Sequence, residues 1–191
     1  MKILINMYCE NYIKSFISTT KPVECDKFKL ERIEEDAGWV NSYFKYNDIS
    51  IRVLLTLATS DLSDLVEFFE NLINMNEEMV TFLDDEIVSE PLLYASPVDD
   101  EKIRFIIADG EKFHTKWKNG ELDGEAEPRL YQYEIRCDVI IDKNKLLKEF
   151  YYAVKNLINS FVPDEHDIYN IEYKNWKDNF KNIINYAKKN V

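Results

Sequence analysis

The chain has 191 residues, 46% of them hydrophobic and 14% aromatic, enough to bury a core and too apolar for intrinsic disorder. It carries 36 Asp and Glu against 24 Lys and Arg, a formal net charge of −12. That balance repels nucleic-acid phosphates and anionic membrane surfaces, and suits a basic protein partner. With only 4 Gly, a glycine-rich phosphate loop or dinucleotide fingerprint has nowhere to sit.

In chain order, Ile5, Tyr8 or Cys9, Tyr12, Ile13, Phe16 and Ile17 form a helical stripe over Met1 to Ser18, ending before Thr19, Thr20 and Pro22. Lys2 to Tyr8 alone also fits a strand. Phe28 and Leu30, and less cleanly Ile33, read as a short strand, with a turn expected at Glu34 to Gly38. Trp39 to Tyr46 and Ile49 to Leu57 read as a hairpin. Asn47-Asp48 joins them, because Asn and Asp tolerate the left-handed backbone of tight turns. Thr59, Ser60 and Asp61 then offer caps to an amphipathic helix striped by Leu62, Leu65, Val66, Phe69, Leu72 and Ile73.

Strand character returns over Met79 to Val88, Leu92 to Ala95 and Lys102 to Ala108, the last with Ile103, Phe105 and Ile107 on one side. Asp109-Gly110 reads as a turn, and Glu111 to Pro128 as a polar loop or ragged hairpin. From Arg129 the pattern is strict. Tyr131, Tyr133, Ile135, Cys137, Val139 and Ile141 point one way, and Gln132, Glu134, Arg136 and Asp138 the other, as in a sheet with one buried and one wetter face. Asp142 to Asn144 supply caps, and Leu146, Leu147, Phe150, Tyr151, Val154, Leu157 and Ile158 form the next helical stripe, broken at Phe161, Pro163 and Asp164. Trp176, Phe180, Ile183, Ile184 and Ala187 stripe a last helix.

Strand runs without regular βαβ alternation imply an α+β fold, a mostly antiparallel sheet with amphipathic helices packed on one face. Residues 1–191 are expected to form one domain, with 162–191 either part of it or a C-terminal helical extension. The charge is uneven. Residues 1–142 hold 15 basic and 30 acidic residues, a net −15, and residues 143–191 hold 9 and 6, a net +3.

The residues offer no clear catalytic constellation. His114 and His166 are the only histidines, and neither has a second His or Cys at ligand spacing. Asp84-Asp85-Glu86 and Asp99-Asp100-Glu101 lack the alternation and central Gly of a calcium loop, so they read first as solvated acidic turns. There is no GxSxG, and the Glu172-Tyr173-Lys174 tripeptide is too common to mark a nuclease. Cys9, Cys25 and Cys137 are odd in number and widely spaced, which fits free thiols in a reducing cytoplasm, with Cys137 a buried small hydrophobe. No run approaches the ~18 apolar residues of a membrane span, and no secretory leader is legible at the N-terminus. No cofactor is implied. Trp117, in a polar stretch, is either an exposed anchor for a partner or a lid folded back on the core, and Trp39 and Tyr43 share that ambiguity.

A small, acidic α+β chain of this kind resembles the immunity proteins of bacterial polymorphic-toxin and contact-dependent inhibition systems. Phe82-Leu83-Asp84-Asp85-Glu86, and Cys137 to Asp142 leading into a helix, are the segments nearest to that profile. The heavy use of Asn, Lys, Ile and Tyr suggests an AT-rich bacterial genome. The resemblance implies binding to a cognate toxin domain. The expected contact surface draws on Asp84, Asp85, Glu86, Glu90, Asp99, Asp100 and Glu101, with Trp117 as anchor. The alternatives are an enzyme with a carboxylate or metal-assisted site, and a self-associating module whose last helix pairs with another copy.

Overall fold

The computed structural model describes residues 2–36, 39–56, 61–81, 89–111, 117–118, 121–122, 133–160 and 185. Their order is α1 (Lys2–Thr19), β1 (Val23–Glu24), β2 (Lys29–Asp36), β3 (Trp39–Tyr46), β4 (Ile49–Thr56), α2 (Asp61–Ile73), β5 (Glu78–Thr81), β6 (Ser89–Pro97), β7 (Lys102–Glu111), β8 (Trp117–Lys118), β9 (Glu121–Leu122), β10 (Tyr133–Asp142) and α3 (Lys143–Ser160). The class is α+β and mostly antiparallel. The strands divide into a five-stranded sheet ordered β1-β10-β7-β6-β5, a three-stranded sheet ordered β2-β3-β4, and the small β8-β9 hairpin. Among the described strands, only the two-residue β1 lies parallel to its neighbour, β10.

One core joins the two larger sheets. Ile103, Phe105 and Ile107 of β7, with Cys137, Val139 and Ile141 of β10, meet Leu30, Ile33, Val40, Phe44, Ile51 and Val53 of the three-stranded sheet. The apolar stripes of α2 and α3 close the same cluster. Phe105 stands at its centre, with ring centroids 5.4 Å from Phe28, 5.8 Å from Phe44 and 6.3 Å from Phe68. Phe69 of α2 stacks on Phe150 of α3 at 3.8 Å. Such aromatic contacts add about 0.5–1.5 kcal/mol each beyond the area they bury.

The opposite face of the five-stranded sheet is covered as well. Ile13, Phe16 and Ile17, spaced three and four along α1, pack with Tyr12 against Leu92, Tyr94, Ile106, Ala108 and Ile135. Thus α2 and α3 share one face, as the amphipathic patterns imply, and α1 takes the other. Of the β10 side chains that read as wet, Asp138 lies under α1. There Arg104 donates from Nε to Asp138 Oδ1 at 2.8 Å and from a second nitrogen to Oδ2 at 2.7 Å. The two side chains are 8% and 12% exposed. Arg104 also reaches the Ile17 carbonyl at 3.2 Å and the Thr20 hydroxyl at 2.8 Å, so the ion pair ties the last turn of α1 to the sheet. The hydroxyls of Ser18, Thr19 and Thr20 turn back onto the carbonyls of Ser15 and Phe16, and Pro22 prevents continuation. The helix includes Thr19, one residue beyond its expected end.

Two β-bulges alter the simple alternation. The β2–β3 register shifts between Leu30 and Arg32, which returns Ile33 to the core three residues after Leu30. The β10–β7 register shifts between Ile135 and Cys137, so Ile135 faces α1 while Cys137 faces the main core. The turn expected at Asp109-Gly110 is instead part of β7, because Glu134 and Tyr133 of β10 continue its ladder. The turn expected from Glu34 is likewise delayed, since β2 runs to Asp36. Glu111 to Pro128 contains the β8–β9 pairing, Trp117 opposite Leu122. The expected hairpin forms as read, with Tyr46 opposite Ile49 and Asn47 at φ 55°. The last helix lies outside the described residues apart from Asn185.

Candidate functional site

The end of the five-stranded sheet where β7 begins and β10 finishes gathers charge from three distant segments. Five residues, Val98 to Lys102, carry the chain from the end of β6 into β7. Asp99 shapes this turn itself, its Oδ1 accepting from the N–H groups of Glu101 at 2.9 Å and Lys102 at 2.7 Å. Those two N–H groups hold the Asp99 carboxyl below the usual aspartate range, with Lys102 helping. The Lys102 carbonyl accepts from Val98 N–H at 2.9 Å and closes the loop. Asp100 and Glu101 are left exposed, beside Val98 at 50% exposure.

This turn is joined to its surroundings. Lys143 N–H at the start of α3 donates to the Glu101 carbonyl at 2.9 Å. Lys102 pairs with Glu24 of β1 at 3.1 Å. Asp142, opposite Lys102 in the β10–β7 ladder, caps α3 by accepting from Lys145 N–H at 2.7 Å. Lys145 Nζ in turn donates to the carbonyls of Asp26 at 2.8 Å and Phe28 at 3.2 Å, pinning the β1–β2 connection. Glu24, Asp26, Asp99, Asp100, Glu101 and Asp142 therefore share one end of the molecule, and all six are exposed.

Comparison with family models, curated proteins and solved structures finds no match.

The expected contact residues are divided by this geometry. Asp99, Asp100 and Glu101 lie together on the β6–β7 turn. Glu90 lies near the start of β6, opposite Gly110, at the other end of the strand. The seven residue-to-residue steps of extended chain from Glu90 to Pro97 span roughly 23 Å, so the two groups do not form one patch. Trp117 is in β8. Asp84, Asp85 and Glu86 lie outside the described residues. Glu24, Asp26 and Asp142 were not in the expected set. Asp142 is recognisable in sequence only as a cap, and Val23–Glu24 is too short for any periodicity to show. The parallel pairing of β1 with β10 brings Glu24 to this end.

A pocket of about 230 Å³ opens beside the acidic end, between the β1–β2 connection and the first turns of α3. Phe28, Ile141, Leu146 and Cys25 supply its apolar lining, and Asp26, Asp142, Lys145 and Glu149 its polar one. Glu149 accepts from Leu30 N–H at 2.9 Å. Burial pushes its carboxyl above the usual glutamate range, against the pull of that N–H, Lys145 and Lys29.

Among the described residues no three of His, Cys, Asp and Glu converge in a way that would hold a metal ion. Cys25 and Cys137 are free and buried. Burial pushes the Cys137 thiol up to about 12, with Cys25 and Asp138 adding to the effect. It is thus protonated and a poor nucleophile at neutral pH. Among the described residues no helix is long and apolar enough to cross a membrane.

Proposed function

We propose that the protein is a small, non-enzymatic binding protein that neutralises a basic protein partner, in the manner of an immunity protein acting on a toxin domain. The observation that carries this reading is the acidic end of the five-stranded sheet. A closed turn offers Asp100 and Glu101 to solvent, with Glu24, Asp26 and Asp142 around it. Fixed carboxylates on a body of net charge −12 accelerate encounter with a basic surface, and the hydrogen-bonded turn limits the ordering lost on binding. A reducing cytoplasm suits the two buried free thiols.

The test is affinity capture from native lysate at low and high salt, with bound proteins identified by mass spectrometry. One basic protein, held at low salt and weakened at high salt, is the expected result. No salt-sensitive basic partner under either condition would overturn the reading.

A further inference from the structure

The pocket beside the acidic end has a lining that selects a chemistry. At about 230 Å³ it falls below the ~300–1,000 Å³ range of small-molecule and cofactor sites, and suits a single side chain. Its floor, Phe28, Ile141 and Leu146, is apolar. Three carboxylates line it against one ammonium, Lys145, whose Nζ already donates to two backbone carbonyls. Among the described residues Glu149 makes no ion pair. Among the described residues its one hydrogen-bond partner is the Leu30 N–H, on Oε2. A half-buried carboxylate with that surrounding gains from an incoming cation.

We propose that this pocket receives the alkyl stem and terminal ammonium of a lysine side chain from the basic partner, with Glu149 as the anchoring carboxylate. The source of the ammonium rests on the function proposed above, while the chemistry of the pocket does not. A lysine fits better than an arginine. One Glu149 oxygen is already engaged, which suits a point charge more than a planar fork that seeks both oxygens. The stem lies along Phe28, Ile141 and Leu146, and the exposed Asp26 and Asp142 attract the charge at the mouth.

The experiment needs no partner. The full chain is titrated with n-butylammonium chloride and followed by amide NMR, with n-butanol and sodium chloride as controls. Saturable shifts at residues 25–30 and 145–149 are expected with n-butylammonium only. Glu149→Gln keeps a carbonyl for Leu30 N–H and should weaken that binding about tenfold or more, while Glu67→Gln, exposed on α2, leaves it unchanged. Absence of saturable shifts, equal binding of n-butanol by the wild-type chain, or full binding by a folded Glu149→Gln would overturn the proposal. A captured partner should likewise bind Glu149→Gln about tenfold more weakly. Unchanged partner affinity would overturn the assignment to the partner's lysine, whereas failure to capture any partner bears on the function reading alone.

Discussion

Two aspartates on the five-stranded sheet illustrate opposite uses of charge. Asp138 lies under α1, held by Arg104 and almost out of water. Asp99 sits on the open β6–β7 turn, held by backbone N–H groups, with Asp100 and Glu101 free to face solvent. In the first place the charge is part of what keeps a helix on the sheet. In the second, only Asp99 shapes the backbone, and its neighbours are available to a partner. Perturbing the two regions should therefore separate folding from binding.

The largest effects belong to the interior. Asp138→Ala strands the Arg104 guanidinium and should destabilise the protein by about 3–5 kcal/mol, read as a lower denaturation midpoint. Replacing both partners, Arg104→Met with Asp138→Leu, should recover most of that loss. A double variant no better than Asp138→Ala would show that the Ile17 and Thr20 contacts of Arg104, and not its charge pair, fasten α1. Phe105→Ala, on the other face of the same strand, should lose about 3–5 kcal/mol, since the Phe28, Phe44 and Phe68 rings all lean on it.

Smaller changes arise where the sheet opens to water. Asp142→Ala removes the cap of α3 and should lower stability by about 1 kcal/mol. The pH dependence separates Asp99 from Glu149. The folded-state pKa of Asp99 is depressed, so its contribution is present above the unfolded value and is lost as pH falls through the folded one. Asp99→Asn should flatten the acid limb of the stability curve. The Glu149 pKa is raised, so its contribution is present below the unfolded value and is lost as pH rises through the folded one. Glu149→Gln should remove that loss. Thermal melts across pH 2–8 check both signs. Smallest in stability, Asp100→Lys with Glu101→Lys should shift unfolding by no more than about 0.5 kcal/mol.

Local pattern was legible where one element carried its own signal. The β3–β4 hairpin, with Asn47 in the left-handed region, and the stripes of α2 and α3 follow their periodicities closely. The harder features depend on pairing between distant strands. The bulge after Ile135 breaks an alternation that looks strict in sequence, and no local residue announces it. Asp138 reads as a solvent-facing residue until α1 is laid over it. The acidic end was legible only at Asp99, Asp100 and Glu101. Glu24, Asp26 and Asp142 join them through a parallel pairing of two residues and a helix cap, neither of which has a periodic signature.

The most direct test of the acidic end as the binding surface is the association rate with the captured basic partner as a function of ionic strength. The wild-type chain is compared with Asp100→Lys/Glu101→Lys. The account expects the variant to associate roughly tenfold or more slowly at low salt, with a shallower salt dependence and an unchanged fold. Equal rates and equal salt slopes would contradict it and place the partner elsewhere on the molecule.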